Sequence, residues 1–120
     1  MLFRSESLRS DRVSAYKLLW KKTSLLPLWP RATDVTYERL SDFRRDLRDW
    51  YFNDGGWLFS TEARQAYEAL QNLLEEVIMG EVTADGQIKP DQYDAIRNKC
   101  SALRTELTND LQSRKRAMFV

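Results

Sequence analysis

Histidine is absent from this 120-residue chain, and cysteine occurs once. The commonest general base and the commonest metal ligand are therefore missing. One cysteine without histidine excludes the usual zinc ligand sets, and a lone Cys100 excludes an internal disulfide. Four glycines and three prolines are too few for a turn-rich all-β protein. No apolar run reaches the roughly 18 residues that read as a membrane span, and the opening MLFRSESLRSDR lacks the apolar core of a signal peptide. No phosphate-binding glycine loop, nucleophile elbow or calcium-loop spacing occurs. Carboxylate pairs such as Asp46/Asp49 and Glu75/Glu76 share their faces with arginines or solvent-facing residues, so they read as surface charge. The chain is expected to be a non-enzyme without metal or cofactor.

What is present describes a helical domain. Apolar residues make up 42% and charged residues 31%, the balance of a folded, helix-rich chain. At this length a single domain over 1–120 is expected. Helix 1 is read over about Ser7 to Lys22, on a stripe of Leu8, Ala15, Tyr16, Leu19 and Trp20. The linker TSLLPLWPRATDV follows. Pro27 and Pro30 forbid a continuous helix there, and Leu25, Leu26, Leu28 and Trp29 need cover from the core or from a partner. Thr36 is placed as the N-cap of helix 2, whose stripe is Tyr37, Leu40, Phe43, Leu47, Trp50 and Tyr51. Gly55-Gly56 is expected to end it through positive φ. Ser60 caps helix 3, whose apolar face runs from Ala63 through Tyr67, Leu70 and Leu74 to Ile78, and Gly80 stops it. An Asp85-Gly86 turn follows; a hairpin over Val82–Ile88 is not expected. Pro90 fits the first turn of helix 4, which reaches about Arg114 on Tyr93, Ile96, Cys100, Leu103, Leu107 and Leu111. That spacing suits a long seam, inside the subunit or between subunits. Cys100 lies on it and reads as a buried thiol. The fold class is all-α, with four helices assembling as a symmetric oligomer, a dimer or tetramer.

Charge is uneven along the chain. Residues 1–31 carry Arg4, Arg9, Arg12, Lys17, Lys21, Lys22 and Arg31 against Glu6 and Asp11, and the end closes on Arg114, Lys115 and Arg116. Between them, 75–94 is acidic: Glu75, Glu76, Glu81, Asp85, Asp91 and Asp94 against Lys89. Basic ends suit phosphates, a membrane surface or the acidic patch of a neighbouring subunit.

Two constellations carry binding chemistry. Arg44, Arg45 and Arg48 precede Trp50, Tyr51, Asn53, Gly55, Gly56 and Trp57; Trp20-Lys21-Lys22 precedes Trp29-Pro30-Arg31. Arginines grip phosphates bidentately, rings stack on bases and glycines admit a ligand to the backbone. The competing reading makes Trp20, Trp50 and Trp57 core residues covered by arginine stems.

The string from Ala15 to Gln71, AYKLLWKKTSLLPLWPRATDVTYERLSDFRRDLRDWYFNDGGWLFSTEARQAYEALQ, resembles the cytosolic part of small bacterial membrane proteins. The Asp-Trp-Tyr-Phe…Gly-Gly core is its most specific part, and SALRTELTNDLQSR near the end is a looser match. Proteins of this build include anti-phage effectors, among them a type III CRISPR accessory protein whose soluble domain binds cyclic tetra-adenylate. The resemblance implies a membrane segment upstream and a place at the cytoplasmic face of the bacterial inner membrane. It also implies an oligomeric sensor of a cyclic oligonucleotide, without duplex DNA as partner. Lys21, Lys22, Arg44 and Arg45 would then meet phosphate, Asn53 and Trp57 the base, and Gly55 and Gly56 would admit the ligand. The alternative is an oligomerisation or protein-interaction module with no small-molecule ligand.

Overall fold

The computed structural model describes residues 2–26, 32, 34–80 and 82–117, and the side chains of 9–26, 32, 34–80 and 82–112. Leu28, Trp29, Pro30 and Arg31 of the linker lie outside the described residues, as do the side chains of Arg4, Arg114, Lys115 and Arg116. Among the described residues there are four α-helices and no strand: α1 (Leu2–Lys22), α2 (Tyr37–Trp50), α3 (Thr61–Met79) and α4 (Pro90–Ala117). The all-α, four-helix expectation holds. No described helix is long and apolar enough to cross a membrane.

Local chemistry sets the boundaries. Thr36 Oγ1 accepts from Arg39 N–H at 3.2 Å, and Ser60 Oγ accepts from Ala63 N–H at 3.1 Å, so both expected caps are in place. Glu62 sits in the first turn of α3, where the helix dipole favours a carboxylate. The turn at Asp85-Gly86 is also formed: Gly86 has φ 74 and donates to Thr83 O at 3.1 Å. No hairpin follows from it. Gly86 O instead accepts from Tyr37 N–H at 3.0 Å and Ile88 N–H donates to Val35 O at 3.2 Å, pinning the α3–α4 connection to the start of α2.

The four helices share one core. Leu40, Leu47, Leu70, Leu74, Ile96, Cys100 and Leu103 have no exposed surface. The pairing of α3 with α4 is the most extensive in the fold. The apolar seam of α4 is spent inside the chain: Tyr93, Ile96, Cys100, Leu103 and Leu107 are buried, with Leu111 packed at the edge. Leu26 is buried and Leu25 partly buried on the same core.

Two expectations need correction. α1 buries Arg12, Tyr16, Leu19 and Thr23, while Trp20 is 49% exposed. One residue past Leu19 is about 100° further round the helix, which turns Trp20 off the core face. The second correction concerns Gly55 and Gly56. Gly55 has φ −143 and Gly56 φ −59, so neither uses positive φ. Space is the reason for glycine here. A Cβ at Gly55 would collide with the Trp50 indole and lie 3.0 Å from Ala15 Cβ; one at Gly56 would collide with Tyr51 O and lie 2.7 Å from its ring. After Trp50 the chain takes a π-helical turn, Tyr51–Gly55, then a 3-10 turn, Gly56–Leu58, before Ser60 starts α3.

Burial has a consequence at high pH. The apolar surroundings push the Cys100 thiol from 9.0 up to about 12, outweighing the opposite pull of Arg104. Burial and the bond to Asp110 likewise raise the Tyr16 phenol above its ordinary 10.0. Both groups keep their protons in the fold where the unfolded chain would release them. Stability is therefore whole below pH 9.0 and is lost between there and about pH 12 for Cys100. The slope of one such group is at most about 1.4 kcal/mol per pH unit. Urea midpoints should fall from pH 9 upward. In Cys100→Ala the fall should begin near pH 10, where Tyr16 takes over. A midpoint flat to pH 11 would contradict this reading of the core.

Candidate functional site

The aromatic cluster around the glycine pair is a clamped corner. Trp50 and Phe59 lie 5.1 Å apart, Tyr16 and Phe59 5.9 Å, and Tyr51 stacks on Tyr67 at 4.8 Å with 15° between the planes. Trp50 Nε1 donates to Ala15 O at 2.9 Å, tying the corner to α1. Phe52 and Trp57 point outward, 75% and 64% exposed. Of the three tryptophans weighed as core, only Trp50 is core.

Beneath the corner lies a buried polar joint that the sequence reading missed. Asp110 of α4 is 6% exposed and Arg12 of α1 7% exposed, with Tyr16 between them. The Tyr16 hydroxyl donates to Asp110 Oδ2 at 2.6 Å and stands 3.0 Å from the Leu58 carbonyl oxygen. That oxygen accepts from Arg12 Nε at 3.1 Å and also from Arg12 Nη2. Asp110 Oδ2 accepts from Ser60 N–H at 3.1 Å. One cation, one phenol and one carboxylate thus join α1, the corner and α4. The signal was available: Arg12 and Asp110 fall on the apolar stripes 12/16/19 and 103/107/110, where a charge must be partnered.

Among the described residues, two grooves hold side chains of the expected binding constellations. The first, about 530 Å³, runs between α1 and α4. Val13, Leu18, Trp20, Leu107 and Leu111 line it, and Lys17 and Lys21 stand in its wall. Leu18 is 43% exposed. Trp20 is held in place by α4: the Arg104 guanidinium lies 5.7 Å from its ring, and Arg104 Nη1 donates to Thr23 Oγ1 at 2.8 Å. The second groove, about 450 Å³, lies between α2 and α3 and is lined by Arg44, Arg45, Arg48, Tyr67 and Gln71 among others. Arg44 faces Glu75 at 3.4 Å and Arg45 faces Asp42 at 3.7 Å; among the described residues Arg48 has no ion pair. Gln71 Nε2 donates to Arg44 O at 3.1 Å and Tyr67 OH at 3.0 Å, which fixes the floor.

The expected ligand residues do not converge. Arg44 and Arg45 share the α2–α3 groove, whereas Lys21 lines the α1–α4 groove and Lys22, half-buried, lines neither. Asn53 and Trp57 are exposed at the corner and line neither groove. Gly55 and Gly56 are buried against Trp50 and Tyr51, and Gly56 N–H donates to Tyr51 O. Trp29-Pro30-Arg31, the second half of the other constellation, lies outside the described residues. Among the described residues no group of three or more His, Cys, Asp or Glu gathers to hold a metal.

The chain matches no protein-family model, no curated protein and no solved structure.

Proposed function

We propose that this helical domain is a non-catalytic interaction module whose docking surface is the α1–α4 groove. The observation that carries the reading is an apolar trough of about 530 Å³ between two helices, with Leu18 and Trp20 exposed beside it. Apolar grooves between helices receive the apolar face of a partner helix or a side-chain knob. Exposed Trp is a strong anchor for such contacts, because it buries large area at small entropic cost. The lysines at positions 17 and 21 favour an acidic partner.

The test is a photoreactive residue in place of Leu18, with a control in place of exposed Asp46 on α2. Irradiated in the producing cells, the Leu18 position should give a protein adduct that Trp20→Ala reduces several-fold, and the control should not. No protein adduct at position 18, or equal adducts at both, rejects the module.

A second reading, the cytosolic sensor of a membrane-bound defence effector that recognises a cyclic oligoadenylate, is favoured by one observation. Arg44, Arg45 and Arg48 line one groove, and Arg48 has no ion pair among the described residues. Calorimetry with cyclic tetra-adenylate should then give heat that Arg48→Ala and high salt both diminish. No heat at protein concentrations well above micromolar leaves the interaction module alone.

A further inference from the structure

The occupant of the α1–α4 groove can be argued from the rest of the surface. Among the described residues the other large exposed aliphatic side chains are Met79, 77% exposed at the end of α3, and Val82, 57% exposed just beyond it. They stand in acidic surroundings. Glu75 and Glu76 are exposed on the last turns of α3, and Asp85 and Asp91 are exposed in and after the connection, with Lys89 the one exposed lysine among them. Glu75 is partly engaged by Arg44; Glu76 has no ion pair among the described residues. This is an apolar tip with an acidic collar, and the groove is an apolar trough with a basic wall.

Position matters as much as chemistry. Leu107 and Leu111, which line the groove, come 17 and 21 residues after Pro90 in α4. At about 1.5 Å per residue that is roughly 25–30 Å along the helix. Met79 and Val82 lie by the connection that enters α4 at Pro90. Tip and groove therefore sit toward opposite ends of the α3–α4 pair and cannot meet within one copy. Pairing groove to groove about a two-fold axis would gather Lys17 and Lys21 of both copies in one interface whose lining holds no carboxylate, which is unfavourable.

We propose that the domain assembles head to tail, Met79 and Val82 of one copy seating in the α1–α4 groove of a second copy, with Glu76 against Lys17 and Lys21. This rests on the reading of that groove as a docking surface. Such a contact is heterologous, so an open pair keeps one free tip on one copy and one free groove on the other, and the assembly closes as a ring or continues as a filament.

Charge reversal with exchange tests it, read as mass by light scattering across the micromolar range. The wild type should rise above 14.2 kDa with concentration. Lys21→Glu and Glu76→Lys should each fall back to the single-chain mass, and an equimolar mixture of the two should regain the larger species, since each then offers the other a matching surface. Met79→Ser, which leaves the charges intact, should also weaken assembly, and circular dichroism should show every variant folded. A wild type that stays at 14.2 kDa overturns the proposal, and so does an assembly indifferent to either reversal. A mixture that stays monomeric overturns it as well. Crosslinking at position 18 separates the two failures: an adduct only with another acidic protein removes self-assembly and leaves the docking groove standing, whereas no protein adduct removes both.

Discussion

Trp50→Ala should destabilise the domain by about 3–5 kcal/mol, the range for deleting a large aromatic from a core. At roughly 4 °C per kcal/mol for a chain of this size, the melting temperature should drop by about 12–20 °C. The cost has three sources. Trp50 is 1% exposed, so the substitution opens a cavity among Tyr16, Phe59 and Ala15. Its Nε1–H donates to Ala15 O at 2.9 Å, a bond that ties α2 to α1. Its indole is also the surface against which the π-helical turn closes at Gly55. Trp50→Phe should retain most of the packing and lose chiefly the hydrogen bond, about 1–2 kcal/mol. Trp57→Ala is the contrast, because Trp57 is 64% exposed and its loss should stay within about 0.5 kcal/mol. Equal melting-temperature losses for Trp50→Ala and Trp57→Ala would mean that the corner is packed some other way.

Asp110→Ala should cost about 1–3 kcal/mol, although it removes few carbon atoms. Asp110 Oδ2 accepts from Ser60 N–H and from the Tyr16 hydroxyl, and the residue is only 6% exposed. Tyr16 can turn its proton to the Leu58 carbonyl, 3.0 Å away, so the loss falls mainly on Ser60 N–H. A buried donor without an acceptor costs about 1–3 kcal/mol. Asp110→Asn keeps an oxygen at that position and should lose less. The effect should also be local: amide exchange should accelerate in the first turn of α3, which Ser60 caps. Should Asp110→Ala unfold within about 0.5 kcal/mol of wild type, the bonds to Asp110 contribute nothing to stability.

The helices were legible because their signals are local. Thr36 and Ser60 are cap residues wherever a helix begins behind them, and the stripes Tyr37–Trp50, Ala63–Val77 and Tyr93–Leu107 keep one phase for several turns. α1 was legible as a helix and, through Tyr16 and Leu19, in part of its facing. Its sequence offers two overlapping stripes, one through Trp20 and one through Arg12 and Thr23, and hydropathy favours the wrong one. Burying Arg12 is favourable only because a carbonyl of the corner and a carboxylate of α4 stand nearby, at separations of 46 and 98 residues in sequence. Gly55 and Gly56 were seen to matter, but for the wrong reason. Their φ values are ordinary, and only the placement of the Trp50 indole and the Tyr51 ring shows that a methyl group has no room.

The binding surfaces divide in the same way. Arg44, Arg45 and Arg48 share a groove because they lie one turn apart on one helix, a relation fixed by the 3.6-residue period. The meeting of Leu18 and Trp20 with Leu107 and Leu111 has no local cause. By itself the sequence determined four helices, their caps, their charges and the absence of histidine chemistry, since each follows from neighbours within a turn or two. Tertiary structure alone decided which tryptophans are buried, which charges are paired and where a groove opens. Those outcomes depend on side chains brought together by the packing of α1 on α4 and α2 on α3, and no periodicity in a linear chain encodes that distance.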